Sequence, residues 1–423
     1  MLNDKLKNQA SCADDFDSEA ITVAEARQRI LAKITPVSAT EKSALYQGLN
    51  RVLAQDIISA INVPGHTNSA MDGYALSADD LPRTAPHQYS VIGTAYAGRP
   101  FEAQCHTGQC IRIMTGAAMP AGTDTIVMQE HVEKASATEV RIAPGHKKYQ
   151  NVRQAGEDIA KDSIVLKRGH SIQAADLGVM ASIGIGEITL YRRPRIAFFS
   201  TGDELRPVGD TLGTGDIYDS NRYSLHGMLS QLNVETIDLG IVKDSLEDLR
   251  EAFKSASSEA DLVITTGGVS VGEADYVKQI VEELGEIHFW KIAMKPGRPI
   301  TFGQLGTVAY FGLPGNPVSV MTTFYQFALP AIQRLSGQAD RSPLTIEVIC
   351  TSELRKRAGR FECQRGILSY NESGQLTVCA TGKQGSGILT SMSRANCLIL
   401  LDENCDGIKA GDSVTVQPFS TYL

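Results

Sequence analysis

The chain has 423 residues, and at roughly 150 residues per domain this implies two to four domains with room for a sizeable core. Lys+Arg 40 against Asp+Glu 48 leaves a net charge of −8, which excludes a general electrostatic footprint for nucleic acid or for an anionic membrane; any anionic substrate must be met by a local patch. The first 20 residues mix Lys5 and Lys7 with Asp14, Asp15, Asp17 and Glu19 and lack a signal-peptide core, no apolar run reaches the roughly 20 residues of a membrane span, and a cytoplasmic protein is expected. Cysteines at 12, 105, 110, 350, 363, 379, 397 and 405 form no CxxC pair, so reduced structural thiols are expected.

Taken in chain order, Thr22-Val-Ala-Glu25 has capping-box spacing and predicts a helix to Ile34, stopped by Pro36. Leu45, Leu49, Val52 and Leu53 share a helical face and predict a second helix. From Val63 to about Gly156 short alternating segments such as Cys110–Met114 and Thr125–Met128, punctuated by Gly and Pro, predict a β-rich module. From Arg195 the pattern alternates. Strands are expected at Ile196–Phe199, Val234–Val242, Leu262–Thr265, Phe289–Met294 and Val308–Gly312, and helices at Tyr223–Leu232, Leu246–Ser255, Tyr276–Leu284 and Pro317–Leu335. That rhythm predicts a doubly wound, mostly parallel sheet covered on both faces, with ligands beyond the carboxyl ends of its strands. After Pro343 short strands at Leu344–Cys350, Leu376–Cys379, Cys397–Leu401 and Ser413–Val416 predict a β-barrel-like terminal module.

Four strand-end loops of the α/β region are polar and glycine-rich: Ser200-Thr-Gly-Asp-Glu204, Thr265 to Asp275 with Ser270 inside it, Lys295-Pro-Gly-Arg298-Pro, and Leu313-Pro314-Gly-Asn-Pro317-Val-Ser319. Small residues let backbone N–H groups approach an anion, so these loops, with Lys291, Lys295 and Arg298, predict an anion pocket. Glu204, Asp219, Asp244 and Asp275 form an oxygen-rich set suited to Mg²⁺, with helix N-capping as the alternative for Asp244 and Asp275. No P-loop, dinucleotide fingerprint, GxSxG elbow or HExxH occurs. In the β-rich module, Asp72 in Asn68-Ser-Ala-Met-Asp72-Gly-Tyr74, Thr115 in Arg112-Ile-Met-Thr-Gly116 and Asp158 in Gly156-Glu-Asp-Ile159 sit in polar turns.

These segments, in this order and from about Ala24 onward, resemble the molybdopterin molybdenumtransferase family, known as MoeA in bacteria and as the E domain of gephyrin. The resemblance implies insertion of molybdenum, delivered as molybdate, into adenylylated molybdopterin with release of AMP and dependence on Mg²⁺. It implies four domains: a discontinuous first one at 1–60 and 160–192, pairing a helical Ile21–Ser59 stretch with Ile164–Tyr191, then 61–159, 193–338 and 339–423. It implies a homodimer whose cleft joins the α/β domain of one subunit to the β-rich module of the other, with a molybdopterin adenylyltransferase as upstream partner. Carried onto this chain, the family's functional residues are Asp72, Thr115, Asp158, Glu204, Asp244, Asp275, Lys291 and Lys295. Glu204, Asp244 and Asp275 would be the metal carboxylates, Ser270, Pro314 and Pro317 would line the substrate, and Lys295, Arg298, Ser319, Arg360 and Ser386 would meet molybdate. Three positions depart from the family pattern: His66-Thr67 replaces Phe-Asp, Gln154-Ala155 replaces a more basic stretch beside Arg153, and Arg298 replaces a common lysine.

Two other readings compete. A molybdopterin adenylyltransferase would share the α/β domain but carry Gly-Gly-Thr-Gly where this chain has Gly267-Gly-Val-Ser270. A non-catalytic, gephyrin-like scaffold would bring long linkers that this chain lacks.

Overall fold

The computed structural model describes residues 20–268, 276–339 and 342–419. It divides into two compact units, one built from the described residues of 1–41, 50–52 and 190–423, the other from 42–49 and 53–189.

The second unit is β-rich, as its alternation predicted. Its six-stranded mixed sheet runs in the spatial order Thr125–Met128, Gly73–Leu76, Gln109–Ile113, His87–Ala95, Glu139–Ile142, Val132–Lys134. Both faces are packed. Tyr74, Leu76, Tyr89, Cys110, Val127, Val140 and Ile142 bury one, and Ala75, Ala95, Ile111, Ile113 and Ile126 bury the other. Gly73 is required where the strands pass closest, because a Cβ there would lie 2.2 Å from the Val127 carbonyl oxygen.

In the first unit a six-stranded sheet has the order Glu235–Val242, Arg195–Thr201, Leu262–Thr266, Val308–Leu313, Pro299–Leu305, Glu286–Lys291. The first four are mutually parallel, and Pro299–Leu305 runs antiparallel to both neighbours. That strand was not expected from sequence, because Pro299 and Gly303 interrupt it, and the strand placed at Phe289–Met294 is instead Glu286–Lys291. Helices Leu246–Glu259 and Tyr276–Leu284 cover one face, where Phe253 packs edge-on to Phe199 and Tyr310 with centroids 5.2 and 5.4 Å away. Truncating a buried Phe such as Phe253 costs about 3–5 kcal/mol.

Helix Val23–Lys33 is capped as expected, the Thr22 hydroxyl accepting from the Glu25 N–H at 3.2 Å. It packs against the long helical run Pro317–Leu335, whose middle, Phe324–Ala328, is a π-turn. Pro330 explains the irregularity: it has no N–H for the Gln326 carbonyl, and a regular turn would press its ring on that group. Arg27 reaches that carbonyl at 3.4 Å and the Gln326 side-chain oxygen at 2.9 Å.

The second helix is a correction. Leu45–Gln47 makes a single 3₁₀ turn, and the Ile21–Ser59 stretch is not helical beyond Lys33. Gly48 and Asn50, the latter at φ 61°, break the run, and Val52 and Leu53 are buried by extended pairing with Tyr191 and His170. Leu49 is exposed. Further along, Ile57–Ile58 pairs antiparallel with Ile164–Leu166.

The terminal module closes into a five-stranded barrel. Phe361–Tyr370, Leu376–Ala380, Ile346–Cys350, Ser413–Pro418 and Cys397–Leu401 follow one another, and the last returns to pair with the first. The ten-residue Phe361–Tyr370 was missed in sequence, because buried Glu362, Gln364 and Arg365 hide its apolar pattern. Short strand Met294–Lys295 pairs in parallel with its start and ties the barrel to the α/β layer. The described cysteines are free thiols, and burial pushes those of Cys110, Cys363 and Cys397 up to about 12, which keeps them inert.

Candidate functional site

The carboxyl ends of strands Arg195–Thr201, Leu262–Thr266 and Val308–Leu313 lie side by side, so their glycine loops meet. Gly267, at φ 84°, would place a Cβ 2.1 Å from the Thr201 carbonyl oxygen, which only glycine permits, and Gly315 lies beside Gly267. Helix Ser220–Ser230 stitches this edge together. Its N-cap Asp219, 1% exposed, accepts from the Ser200 hydroxyl at 3.0 Å and the Arg222 N–H at 3.1 Å. Arg222 reaches Asp238 of the neighbouring strand at 2.8 Å, and the Asn221 amide donates to the Gly315 carbonyl at 2.8 Å. Asp219 is therefore a structural cap and leaves the proposed metal set.

Glu204 and Asp244 remain on this edge. The exposed Glu204 side chain folds back over Gly202, and Leu205-Arg206 pairs with Ile217-Tyr218 to hold the loop. Asp244 precedes Ser245, and Ser245, not Asp244, caps helix Leu246–Glu259. Burial, then the nearby Asp203 and Glu204 charges, raise the Asp244 carboxyl above its ordinary value. A cation held by one or two of these carboxylates, with water and substrate oxygens filling its shell, would relieve this repulsion, and that is the coordination Mg²⁺ takes. Among the described residues no group of three or more His, Cys, Asp or Glu side chains is placed to hold a metal ion by itself. Asp275 and Ser270 lie outside the described residues.

Of the expected cations, Lys295 and Arg360 meet at the barrel junction, and Lys291 and Arg298 are not among the residues lining the cavity there. Lys291 ends its strand opposite Pro299, and Lys295 and Arg298 follow on a loop whose Gly297 packs on Thr323 of the long helical run. The pairing of Met294-Lys295 with Phe361-Glu362 brings Arg360 beside Lys295, and both line a cavity of about 360 Å³. Lys295 Nζ lies 3.5 Å from Glu362. Pro314 is buried in the loop after its strand, and Pro317 opens the helix that carries buried Ser319. Ser386 is brought there by its carbonyl, which accepts the Val318 N–H at 3.1 Å.

Sequence reasoning missed the residue that fixes this last contact. Arg365, 1% exposed, donates to the Gly385 carbonyl and the Ser391 hydroxyl, each at 3.1 Å, while its own N–H and carbonyl are bonded by the Gln384 side chain at 2.8 and 3.0 Å. Burial lowers its guanidinium to about 10. The only signal was a basic residue within a run of strand formers, and charged side chains are rarely buried.

In the β-rich unit Asp72 Oδ1 accepts from the Thr115 N–H at 2.7 Å and its hydroxyl at 2.8 Å, and these two bonds hold the carboxyl below its ordinary range. The turn carrying exposed Asp158 is adjacent in the backbone, since Asn68-Ser69 pairs with Val152-Arg153. Two of the unusual positions touch: the Thr67 hydroxyl lies 3.4 Å from Gln154 Oε1.

A glycine-looped α/β layer followed by a closed barrel and accompanied by a two-faced β unit is the architecture of molybdopterin-handling enzymes. Residues 21–184 match the MoeA N-terminal region (domain I and II), 197–334 a probable molybdopterin binding domain, and 347–419 the MoeA C-terminal region (domain IV). The chain is 43% identical over 404 residues to a molybdopterin molybdenumtransferase of Haemophilus influenzae, covering 95% of this chain and all of the relative. It is 35% identical to one of a Nostoc species over 92% and 90% of the two chains. The crystal structure of a molybdopterin biosynthesis MoeA protein from Pyrococcus horikoshii superposes with TM-score 0.82 at 27% identity, covering 95% of this chain and all of that one. The chain belongs to the molybdopterin molybdenumtransferase family.

Proposed function

We infer that this enzyme acts in molybdenum cofactor biosynthesis by transferring molybdenum from molybdate to adenylylated molybdopterin, with release of AMP. The observation that carries the reading is the pairing, within one unit, of a carboxylate-bearing glycine-loop edge with a cation-lined cavity: one suits a cation on a phosphate linkage, the other an oxyanion.

Molybdate is a tetrahedral dianion, and Lys295, Arg298 and Arg360 with the hydroxyls of Ser319 and Ser386 supply charge and hydrogen bonds of the kind that hold such anions. The glycine loops give close backbone approach to the pterin substrate's phosphates, with Pro314, Pro317 and Ser270 in those loops as further substrate contacts. Glu204 and Asp244, with Asp275, would hold Mg²⁺, which when bound supplies charge neutralisation on the phosphoanhydride. Lys291 stabilises negative charge that develops as the linkage breaks. Asp72, kept ionised by Thr115, and Asp158 act from the β-rich unit. We place them in the cleft through a homodimer, each subunit lending its β-rich module to the other, with a molybdopterin adenylyltransferase delivering substrate.

The adenylyltransferase alternative finds no support, because matches to the MoeA N- and C-terminal regions flank the shared domain. No described helix is long and apolar enough to cross a membrane. The test is a reconstitution with purified protein, adenylylated molybdopterin, molybdate and Mg²⁺. Cofactor formation and AMP release that require all four components are expected, and AMP release independent of molybdate would overturn the reading.

A further inference from the structure

The cavity at the barrel junction extends past the residues that the family resemblance assigns. Its lining is Lys295, Arg355, Lys356, Arg357, Arg360 and Glu362, five cations to one carboxylate in a chain of net charge −8. We propose that Arg355 and Arg357 form an outer cationic lip that captures a free tetrahedral oxyanion and raises its concentration at Lys295 and Arg360. The proposal rests on the molybdate-binding reading above and adds residues to it.

The lip is rigid. Leu354 and Ile408 exchange two backbone bonds of 2.9 Å, the Gln364 amide donates to the Arg355 carbonyl at 3.1 Å, and the Gly359 N–H donates to the Glu403 carbonyl at 2.7 Å. Lys356 is 8% exposed and its ammonium is tied to the carbonyls of Cys405, at 2.7 Å, and Arg357, at 3.3 Å. A buried charge is weakly screened, so Lys356 biases the cavity while pinning the loop.

The opposing charge at Lys295 and at Arg355 is weak. Glu362 is engaged by Gln364 at 3.0 Å and Lys295 at 3.5 Å. Arg355 faces Glu353 at 3.6 Å, with both side chains largely exposed, and such a pair competes poorly with a dianion.

The lining also selects the ligand. All six side chains are charged and none is aromatic, so nothing there would hold a ring, and the fit is to a small inorganic anion in place of a phosphate carried on a pterin. At roughly 30 Å³ per water, the volume admits such an anion with part of its hydration shell, so Arg355 and Arg357 act largely through space.

The test is calorimetric titration of the full-length protein with sodium molybdate alone, and in parallel with a simple phosphomonoester, at ionic strengths of about 0.01 M and about 0.3 M. R355Q/R357Q is expected to weaken molybdate binding about tenfold at low salt, with the difference shrinking at high salt. The phosphomonoester is expected to bind less tightly than molybdate. Exposed positions make misfolding a minor risk, and an unchanged melting temperature would show it. Molybdate affinity equal to wild type, or an effect confined to the phosphomonoester, overturns the lip; if R360Q still weakens molybdate binding at least about tenfold, the molybdate site itself stands. A wild-type protein that binds no molybdate overturns both.

Discussion

The strand-end edge of the α/β layer and the cavity at its junction with the barrel carry opposite charge and are built in opposite ways. At the edge, Glu204 is exposed and Asp244 half-buried, crowded with Asp203 where like charges raise Asp244. At the junction, a buried Arg365 and a buried Lys356 give their hydrogen bonds to carbonyls and a hydroxyl, fixing loops that aim other cations outward. The edge holds repulsion that a proton or a bound cation would relieve, whereas the junction is held by hydrogen bonds within the chain itself. On the proposed function, the edge would govern turnover by holding Mg²⁺ and the junction would govern affinity for the oxyanion.

Neutralising the edge is expected to have the largest effect. Glu204→Gln with Asp244→Asn is expected to lower maximal turnover by about 10³-fold, the scale of losing charge stabilisation at the reacting centre. Steady-state cofactor formation checks it. Next in size, Arg365→Met is expected to cost about 2–4 kcal/mol, because Gly385 and Ser391 lose their donor and buried Glu362 loses a nearby cation. Denaturant unfolding measures that loss. If Arg365 were merely a barrel-filling residue, the same variant would leave molybdate affinity alone; the bonded 384–386 loop predicts that it weakens.

The smallest effect is pH-dependent and has opposite sign in the two units. The Asp244 carboxyl is raised above 3.8, so the folded state holds this proton better than the unfolded chain; its stabilisation is full below that value and is lost as pH rises through the raised one. Asp244→Asn is therefore expected to raise the melting temperature at neutral pH, by an amount worth less than about 1 kcal/mol, with the gain fading toward pH 3.8. Asp72, lowered by its bonds from Thr115, contributes stability that is present above 3.8 and lost as pH falls through the lowered value, so Thr115→Val is expected to lower the melting temperature at neutral pH, with the loss fading in acid. Melting curves across pH separate the two.

Much of this was legible in sequence where one physical signal dominated. Apolar runs such as Ile196–Phe199 and Leu262–Thr265 became central strands, because fully buried strands need no alternation. Glycine-rich strand ends marked the edge correctly. The chain misled where burial came from tertiary pairing: Val52 and Leu53 mimic a helical stripe yet are covered by extended neighbours. It was silent where polar groups are buried. Glu362, Gln364 and Arg365 look solvent-facing in sequence, yet they lie inside the longest barrel strand, whose pairing with Met294-Lys295 brings Lys295 and Arg360 to one junction. Asp219 resembled its neighbouring carboxylates until its hydrogen bonds identified it as a cap.

The claim that edge and junction divide the work is tested most directly by titrating molybdate into the complete turnover assay for Arg360→Gln and Glu204→Gln side by side. Arg360→Gln is expected to raise the half-saturating molybdate at least about tenfold while maximal turnover falls less than about threefold, and Glu204→Gln to depress maximal turnover with half-saturation little changed. Equal loss of maximal turnover in both variants, with no response to added molybdate, would contradict it.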